Sequence, residues 1–184
     1  MLGGSVFVGR AVVTVAIDRG WSVTTFNRGR TPWTHPQTRQ LVGDRLRPAD
    51  LEQLHRGRWD AVVDTWAGAP RAVRDSAELL ADRTDRYLYV SSRAVYTSPT
   101  PAGLDETHPT VPALPNAADI GYPSNKRGAE LAVQAAFGNR AVLSGPGRGF
   151  TRLAHSVGAS GRASAGRGQH PVSGLVGVDP IRGG

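Results

Sequence analysis

Tyr122 and Lys126 stand four residues apart at the head of a run in which Ala129, Leu131, Ala132, Val133, Ala135 and Ala136 recur at helical spacing. Pro123 suits the first turn of such a helix, where its missing N–H leaves nothing unpaired, so the phenol and the ammonium fall on one face. At a separation of roughly 4–5 Å and an effective dielectric near roughly 20, the cation favours the phenolate by about 3–4 kcal/mol. That is about 2–3 units off an ordinary tyrosine value, enough to make Tyr122 a proton donor or acceptor near neutral pH. The plainer alternative is a tyrosine and a lysine on a solvated helix. A third group with matching chemistry is Ser92, in Ser91-Ser92-Arg93-Ala94-Val95-Tyr96, which directly follows an apolar run and offers a small hydroxyl to a substrate oxygen.

The elements that would position these groups alternate along the chain. Leu2-Gly3-Gly4-Ser5-Val6-Phe7-Val8-Gly9 is glycine-rich and leads into residues 10–19, with Val8, Val12, Val13, Ala16 and Ile17 at helical spacing until Gly20. A tight turn opening a helix offers backbone N–H groups and the positive end of the helix dipole to a pyrophosphate. Residues 21–26 (WSVTTF) read as a strand, 41–44 as a brief one, 48–55 as a helix with Leu51 and Leu54 inward, and 59–65 (WDAVVDT) as a strand covered on both faces. Residues 69–81 form the next helix and 86–91 (RYLYVS) the next strand. Regular alternation predicts an α/β fold with a doubly wound, parallel, Rossmann-type sheet, whose ligands sit beyond the carboxyl ends of its strands. Arg28, with Arg30, follows the 21–26 strand, where a base would accommodate a 2′-phosphate, which leans toward NADP over NAD; a solvated turn arginine reads the same way.

The glycine turn, the Ser92 to Tyr96 element and Tyr122-Pro123-Ser124-Asn125-Lys126 occur in the order and at roughly the spacing of extended and atypical short-chain dehydrogenase/reductases. Over about residues 2–143 the chain resembles the NAD-dependent epimerase/dehydratase group. The resemblance implies an NAD(P)-dependent oxidoreductase or epimerase, with Ser92 orienting the substrate oxygen, Tyr122 as acid/base and Lys126 lowering its pKa while holding the nicotinamide ribose. It implies that Gly3, Ser5, Phe7, Val8 and Gly9 line the pyrophosphate, Asn27 and Arg28 the adenosine end, Asp44 the adenine, and Thr65 and Ala67 the cofactor beyond the fourth strand. Two departures stand out. Val6 occupies a position usually held by glycine, and Arg93 and Ala94 stand where sugar-nucleotide dehydratases carry an acidic pair, which argues against dehydration and leaves carbonyl reduction or epimerisation. Some atypical relatives sense NADPH without turnover and others bind RNA, so a regulator and an RNA-binding protein are the alternatives to an enzyme.

Both ends depart from that family pattern. Only Met1 and Leu2 precede the glycine turn where a central strand is expected, so the first strand is largely missing and either the true start lies upstream or the chain is a compromised, inactive fragment. After residues 1–143, the expected dinucleotide-binding domain, residues 144–184 lose all periodicity. Residues 143–184 carry 11 of the 23 glycines, a composition that predicts disorder in place of a substrate lobe. A one-base frameshift near Leu143 in a GC-rich gene would explain it; a natural basic tail is the alternative. Residues 97–118, with Pro99, Pro101, Pro109, Pro112 and Pro115, read as an irregular loop overhanging the site, and Asp105-Glu106 within it as solvated acids or a general acid.

Composition bounds the remaining classes. A chain of 184 residues with 39% hydrophobic and 20% charged residues fits one globular core. No apolar run approaches the roughly 20 residues that cross a bilayer, and no signal-peptide pattern opens the chain, so the cytoplasm is the default compartment. The absence of cysteine excludes disulfides, and the five histidines show no pair at metal-ligand spacing. Of the net charge of +7, +4 falls after residue 142, and no aromatics interleave with the arginines before it, which argues against a nucleic-acid partner. The expected partner is a small-molecule substrate whose identity the sequence leaves open.

Overall fold

A computed structural model describes residues 1–99, 103, 105–145 and 151–153. Strands β1 (Val23–Asn27), β2 (Thr38–Val42), β3 (Trp59–Asp64), β4 (Thr84–Val90) and β5 (Ala141–Ser144) alternate with helices α1 (Phe7–Asp18), α2 (Pro48–His55), α3 (Pro70–Leu80) and α4 (Tyr122–Phe137). β1 pairs with β2, and β3 with β4 and β4 with β5, all parallel. The fold is the doubly wound, parallel, Rossmann-type α/β sheet expected from the alternation. A short strand β6 (Thr151–Leu153) adds antiparallel to β5. It lies within the stretch read as a structureless tail, and β5 itself runs one residue past the expected boundary. Residues 146–150 and 154–184, on which the rest of that expectation falls, lie outside the described residues.

The centre of the sheet is three residues long. Leu2 bridges in parallel to Phe26 of β1 on one side and Asp64 of β3 on the other. The Leu2 N–H donates to Val63 at 2.8 Å, the Gly3 N–H donates to Phe26 at 2.9 Å, and the Met1 carbonyl accepts from Phe26 N–H at 2.9 Å. The strand order is therefore β2-β1-Leu2-β3-β4-β5-β6, with Leu2 joining β1 to β3. Below it, where backbone groups of Thr24 and Ala61 turn toward the same interval by strand alternation, a groove of about 480 Å³ opens between Val23–Thr24 and Trp59–Ala61, floored by Val12, Val13 and Ala16 of α1. Ala61 is exposed and Asp60 with it, so β3 is not covered on both faces as its apolar run suggests. The Met1 ammonium lies at the head of this groove and donates to the Thr24 carbonyl at 2.8 Å. Burial pushes that amine down to about 6, against the pull of Asp64.

The core lies between the sheet and α3 and α4. Val73, Ala77 and Leu80 of α3, spaced as one helical stripe, meet Ala129, Val133 and Phe137 of α4 over Tyr87, Tyr89 and Leu143 of the sheet. At Gly128 α4 comes close to its surroundings: a Cβ there would lie 2.6 Å from the Leu114 carbonyl and 2.7 Å from Pro70 Cγ. This contact seats the beginning of α4 against α3 and the loop that precedes it, and so fixes where Tyr122 and Lys126 emerge.

Candidate functional site

Backbone shape comes first at the glycine turn. Gly3 and Gly4 have φ of 104° and 96°, a region that disfavours any side chain. A Cβ on Gly3 would stand 2.6 Å from Thr65 Oγ1, and one on Gly9 would stand 2.6 Å from Gly4 Cα. Val6, by contrast, has extended backbone (φ −123°, ψ 170°) and is 70% exposed, so the position needs no glycine here. It is the residue before α1 and caps nothing with its side chain; the first intrahelical bond runs from Arg10 N–H to its carbonyl. The amides of Phe7, Val8 and Gly9 therefore precede the helical ladder.

Beside this turn, at the carboxyl ends of β1, β2 and β3, lies a cleft of about 300 Å³. Seven of the ten residues expected at a cofactor line it: Gly3, Ser5, Asn27, Arg28, Asp44, Thr65 and Ala67. Phe7, Val8 and Gly9 do not. Phe7 is 85% exposed on the first turn of α1, Val8 is exposed beside it, and Gly9 is buried against Gly4. Their place in the helix, which starts at Phe7 and not at residue 10 as expected, removes their side chains from the cleft wall. Asn27 is fixed by its own turn, its Oδ1 accepting from Gly29 N–H at 2.9 Å. Asp44 accepts from Leu46 N–H at 3.0 Å. Arg28 and Arg30 are exposed at the rim.

The cleft floor holds two residues that sequence reasoning passed over, Arg45 and Trp66. The Arg45 guanidinium, 7% exposed, forms a fork on the fully buried Asp64 at 2.7 and 2.8 Å, and also donates to the Ala72 carbonyl and to Ser76 Oγ. Tyr87 OH donates to Asp64 Oδ2 at 2.7 Å. Burial pushes the Asp64 carboxyl up, but Arg45 overrides that and holds it below the usual carboxylate range; burial and Asp64 together push the Tyr87 phenol well up. The available sequence signal was the carboxylate itself: an aspartate ending an otherwise apolar strand needs a buried cation or donors.

Lys126 is the only lysine in the chain, against 21 arginines. Its side chain is 4% exposed, and its ammonium donates to the carbonyls of Trp66 and Val90 at 2.7 Å each, tying α4 to the carboxyl ends of β3 and β4. The Tyr89 ring lies beneath it at 4.7 Å. Burial brings the amine down to about 8, opposed by Asp64 and Glu130. Tyr122 is 48% exposed on the first turn of α4, and its phenol has no hydrogen-bond partner among the described residues. The ammonium is thus engaged with two backbone carbonyls, and among the described residues no hydrogen bond joins it to the Tyr122 phenol. Ser92, two residues beyond Val90, accepts from Ala94 N–H at 3.2 Å and opens a short 3-10 turn, Arg93–Val95. Lys126 joins the cleft through Trp66, whereas Ser92 lines a separate small cavity with Ser91, Glu106 and Glu130. No group of acidic or histidine residues among the described ones could hold a metal, and no helix among them is long and apolar enough to cross a membrane.

No family model matches the chain, and no curated protein matches it. Solved structures do. A candidate epimerase from Burkholderia cenocepacia J2315 is 24% identical with a TM-score of 0.61, over 77% of this chain and 51% of that one. An epimerase from the methanogen Methanothermobacter thermautotrophicus is 15% identical with a TM-score of 0.62, over 77% and 48%. UDP-glucose 4-epimerase from Brucella ovis, in complex with NAD, is 19% identical with a TM-score of 0.59, over 78% and 50%. The chain has the fold of the epimerases and short-chain dehydrogenase/reductases and spans about half the length of these three proteins. At these identities the likeness is one of fold.

Proposed function

We propose that this chain is the dinucleotide-binding part of an NAD(P)-dependent oxidoreductase or epimerase-like protein acting at a carbonyl or hydroxyl carbon of a small molecule. The observation that carries the reading is Lys126: in a chain with 21 arginines, the one lysine is buried where β3 and β4 end, one hydrogen bond from the cleft wall. The residues present fit a dinucleotide. Gly3 lacks the Cβ that would close the approach over Thr65, the amides at the start of α1 suit a pyrophosphate, and Asn27, Arg28 and Asp44 suit the adenosine end. The exposed pair Arg28 and Arg30 at the rim supports NADP over NAD, although the Brucella epimerase carries NAD.

When bound, the nicotinamide accepts or supplies the hydride. The chain's own residues do the rest. Ser92 keeps its O–H proton free to donate to a substrate oxygen while its lone pair serves Ala94. Tyr122 moves the proton at that oxygen. Lys126 has a third N–H beyond the two given to carbonyls, available to a ribose hydroxyl.

Titration of the purified chain with NADPH and NADH tests this, with binding of NADPH expected to be tighter. Lys126→Met is expected to weaken binding about tenfold, the scale of one charged hydrogen bond. Lys126→Arg should not rescue it, since a planar fork does not fill the place of a point charge. Binding of neither nucleotide overturns the proposal. One observation favours a second reading, a NADPH sensor without turnover: the ammonium sits on carbonyls, and the phenol has no hydrogen-bond partner among the described residues. NADPH binding with no oxidation of the bound nucleotide by any of a panel of aldehydes and ketones would select it.

A further inference from the structure

Trp66 is held from every side. Its N–H donates to Asp64 Oδ1 at 2.9 Å, its ring lies over the Arg45 guanidinium at 5.1 Å, and its indole N–H donates to the Ala69 carbonyl at 3.0 Å. Its carbonyl accepts from Lys126 Nζ at 2.7 Å and from Tyr89 OH at 2.8 Å. Arg45 and Asp64 thus touch one side of a residue whose other side holds the chain's only lysine. A buried ion pair adds little net stability over apolar groups of the same size, so its presence here calls for another explanation. What Asp64 supplies that leucine would not is an acceptor fixing the amide of Trp66; what Arg45 supplies is the charge that lets the carboxylate stay ionised there, and a flat surface under the indole.

We propose that Arg45 and Asp64 are positioning residues for Lys126, acting through the Trp66 peptide, so that the place of the ammonium is set from the adenosine side of the cleft. This rests on the reading of the cleft as a dinucleotide site. The charged and titratable groups around the amine are Asp64, Glu130 and Arg45, with the Tyr89 ring beneath it. Any test must therefore hold the charge change constant.

Two double variants do so. Arg45→Met with Asp64→Asn and Arg45→Met with Asp64→Leu both remove the pair as a whole, leaving no lone buried charge, but only asparagine keeps an acceptor for the Trp66 amide. With 15N-labelled lysine the protein gives one side-chain nitrogen signal, because Lys126 is the only lysine. The Leu variant is expected to shift the titration midpoint of that nitrogen downward by about one unit relative to the Asn variant, through loss of a carbonyl acceptor with burial retained. It should also bind NADPH about tenfold more weakly, and the Asn variant should recover both. Should the Leu variant fail to fold by near-UV circular dichroism, Trp66→Phe, which removes the indole bond and weakens the stack on Arg45, should move the same midpoint. A midpoint and signal identical in the Asn and folded Leu variants, or unmoved in Trp66→Phe where that is used, overturns the proposal. If the parent protein binds neither nucleotide, the dinucleotide reading fails, and the nitrogen titration alone still decides whether Arg45 and Asp64 position Lys126.

Discussion

The Met1 amine gives the sharpest test of how the sheet is put together. It stands at the head of the groove between β1 and β3, donates to the Thr24 carbonyl, and is brought by burial from 8.0 to about 6. Between those values the unfolded chain holds a proton that the folded chain releases, so stability rises with pH through the window from about 6 to 8 and is penalised fully below it. Two units correspond to about 2.7 kcal/mol. Acetylating the amine removes the charge and keeps an N–H for Thr24. The acetylated chain should therefore be about 2–3 kcal/mol more stable than the free one near pH 5.5 and equal to it near pH 9. Urea unfolding of both forms at matched pH reads the difference, and other titrating groups cancel in the comparison. An apolar extension of four residues ahead of Met1 should stabilise further, because it carries the charge out of the groove and covers Val12, Val13 and Ala16. Parallel pH profiles for free and acetylated chains would refute the reasoning, since the amine would then be equally solvated folded and unfolded.

Other outcomes follow from single contacts. Lys126, brought down to about 8 from 10.5, should make the protein about 2 kcal/mol more stable at about pH 9.5 than at pH 8, because the unfolded chain binds the extra proton in that interval; Lys126→Met should flatten the rise in urea unfolding. Gly9→Ala should cost about 1–3 kcal/mol, as a Cβ 2.6 Å from Gly4 Cα drives α1 off the turn, and a shift in urea midpoint measures it. Leu80→Ala, at a fully buried position, should cost about 2–5 kcal/mol in the same assay. Arg28→Ala with Arg30→Ala should weaken NADPH more than NADH, and equal loss for both would remove the argument for NADP.

Local chemistry made some elements readable and left others hidden. α2 runs over Pro48–His55 as expected because a first-turn proline and the Leu51 and Leu54 stripe mark both its start and its buried side. β2 was expected at residues 41–44 and lies at Thr38–Val42, since its residues Thr38, Arg39 and Gln40 carry no apolar alternation and pairing with β1 sets its register. Seven of the ten residues expected at a cofactor line one cleft, because a parallel sheet delivers all its strand ends to one edge. Long-range polar partners stayed invisible. Nothing in the sequence links Arg45 to Asp64 across 19 positions, or assigns the Lys126 ammonium to the carbonyls of Trp66 and Val90.

The three-residue centre of the sheet bears on how the molecule would feel a bound ligand. β1 and β2 are laddered to the rest through Met1, Leu2 and Gly3, yet the cleft takes one wall from Phe26, Asn27, Gly43 and Asp44 and the other from Thr65, Trp66 and Ala67. Anything lodged there becomes a strut across the weakest line of the molecule, adding stiffness where the backbone supplies least. Amide exchange at Leu2, Gly3 and Phe26 should slow on loading well before that in β4, whose backbone is laddered on both sides.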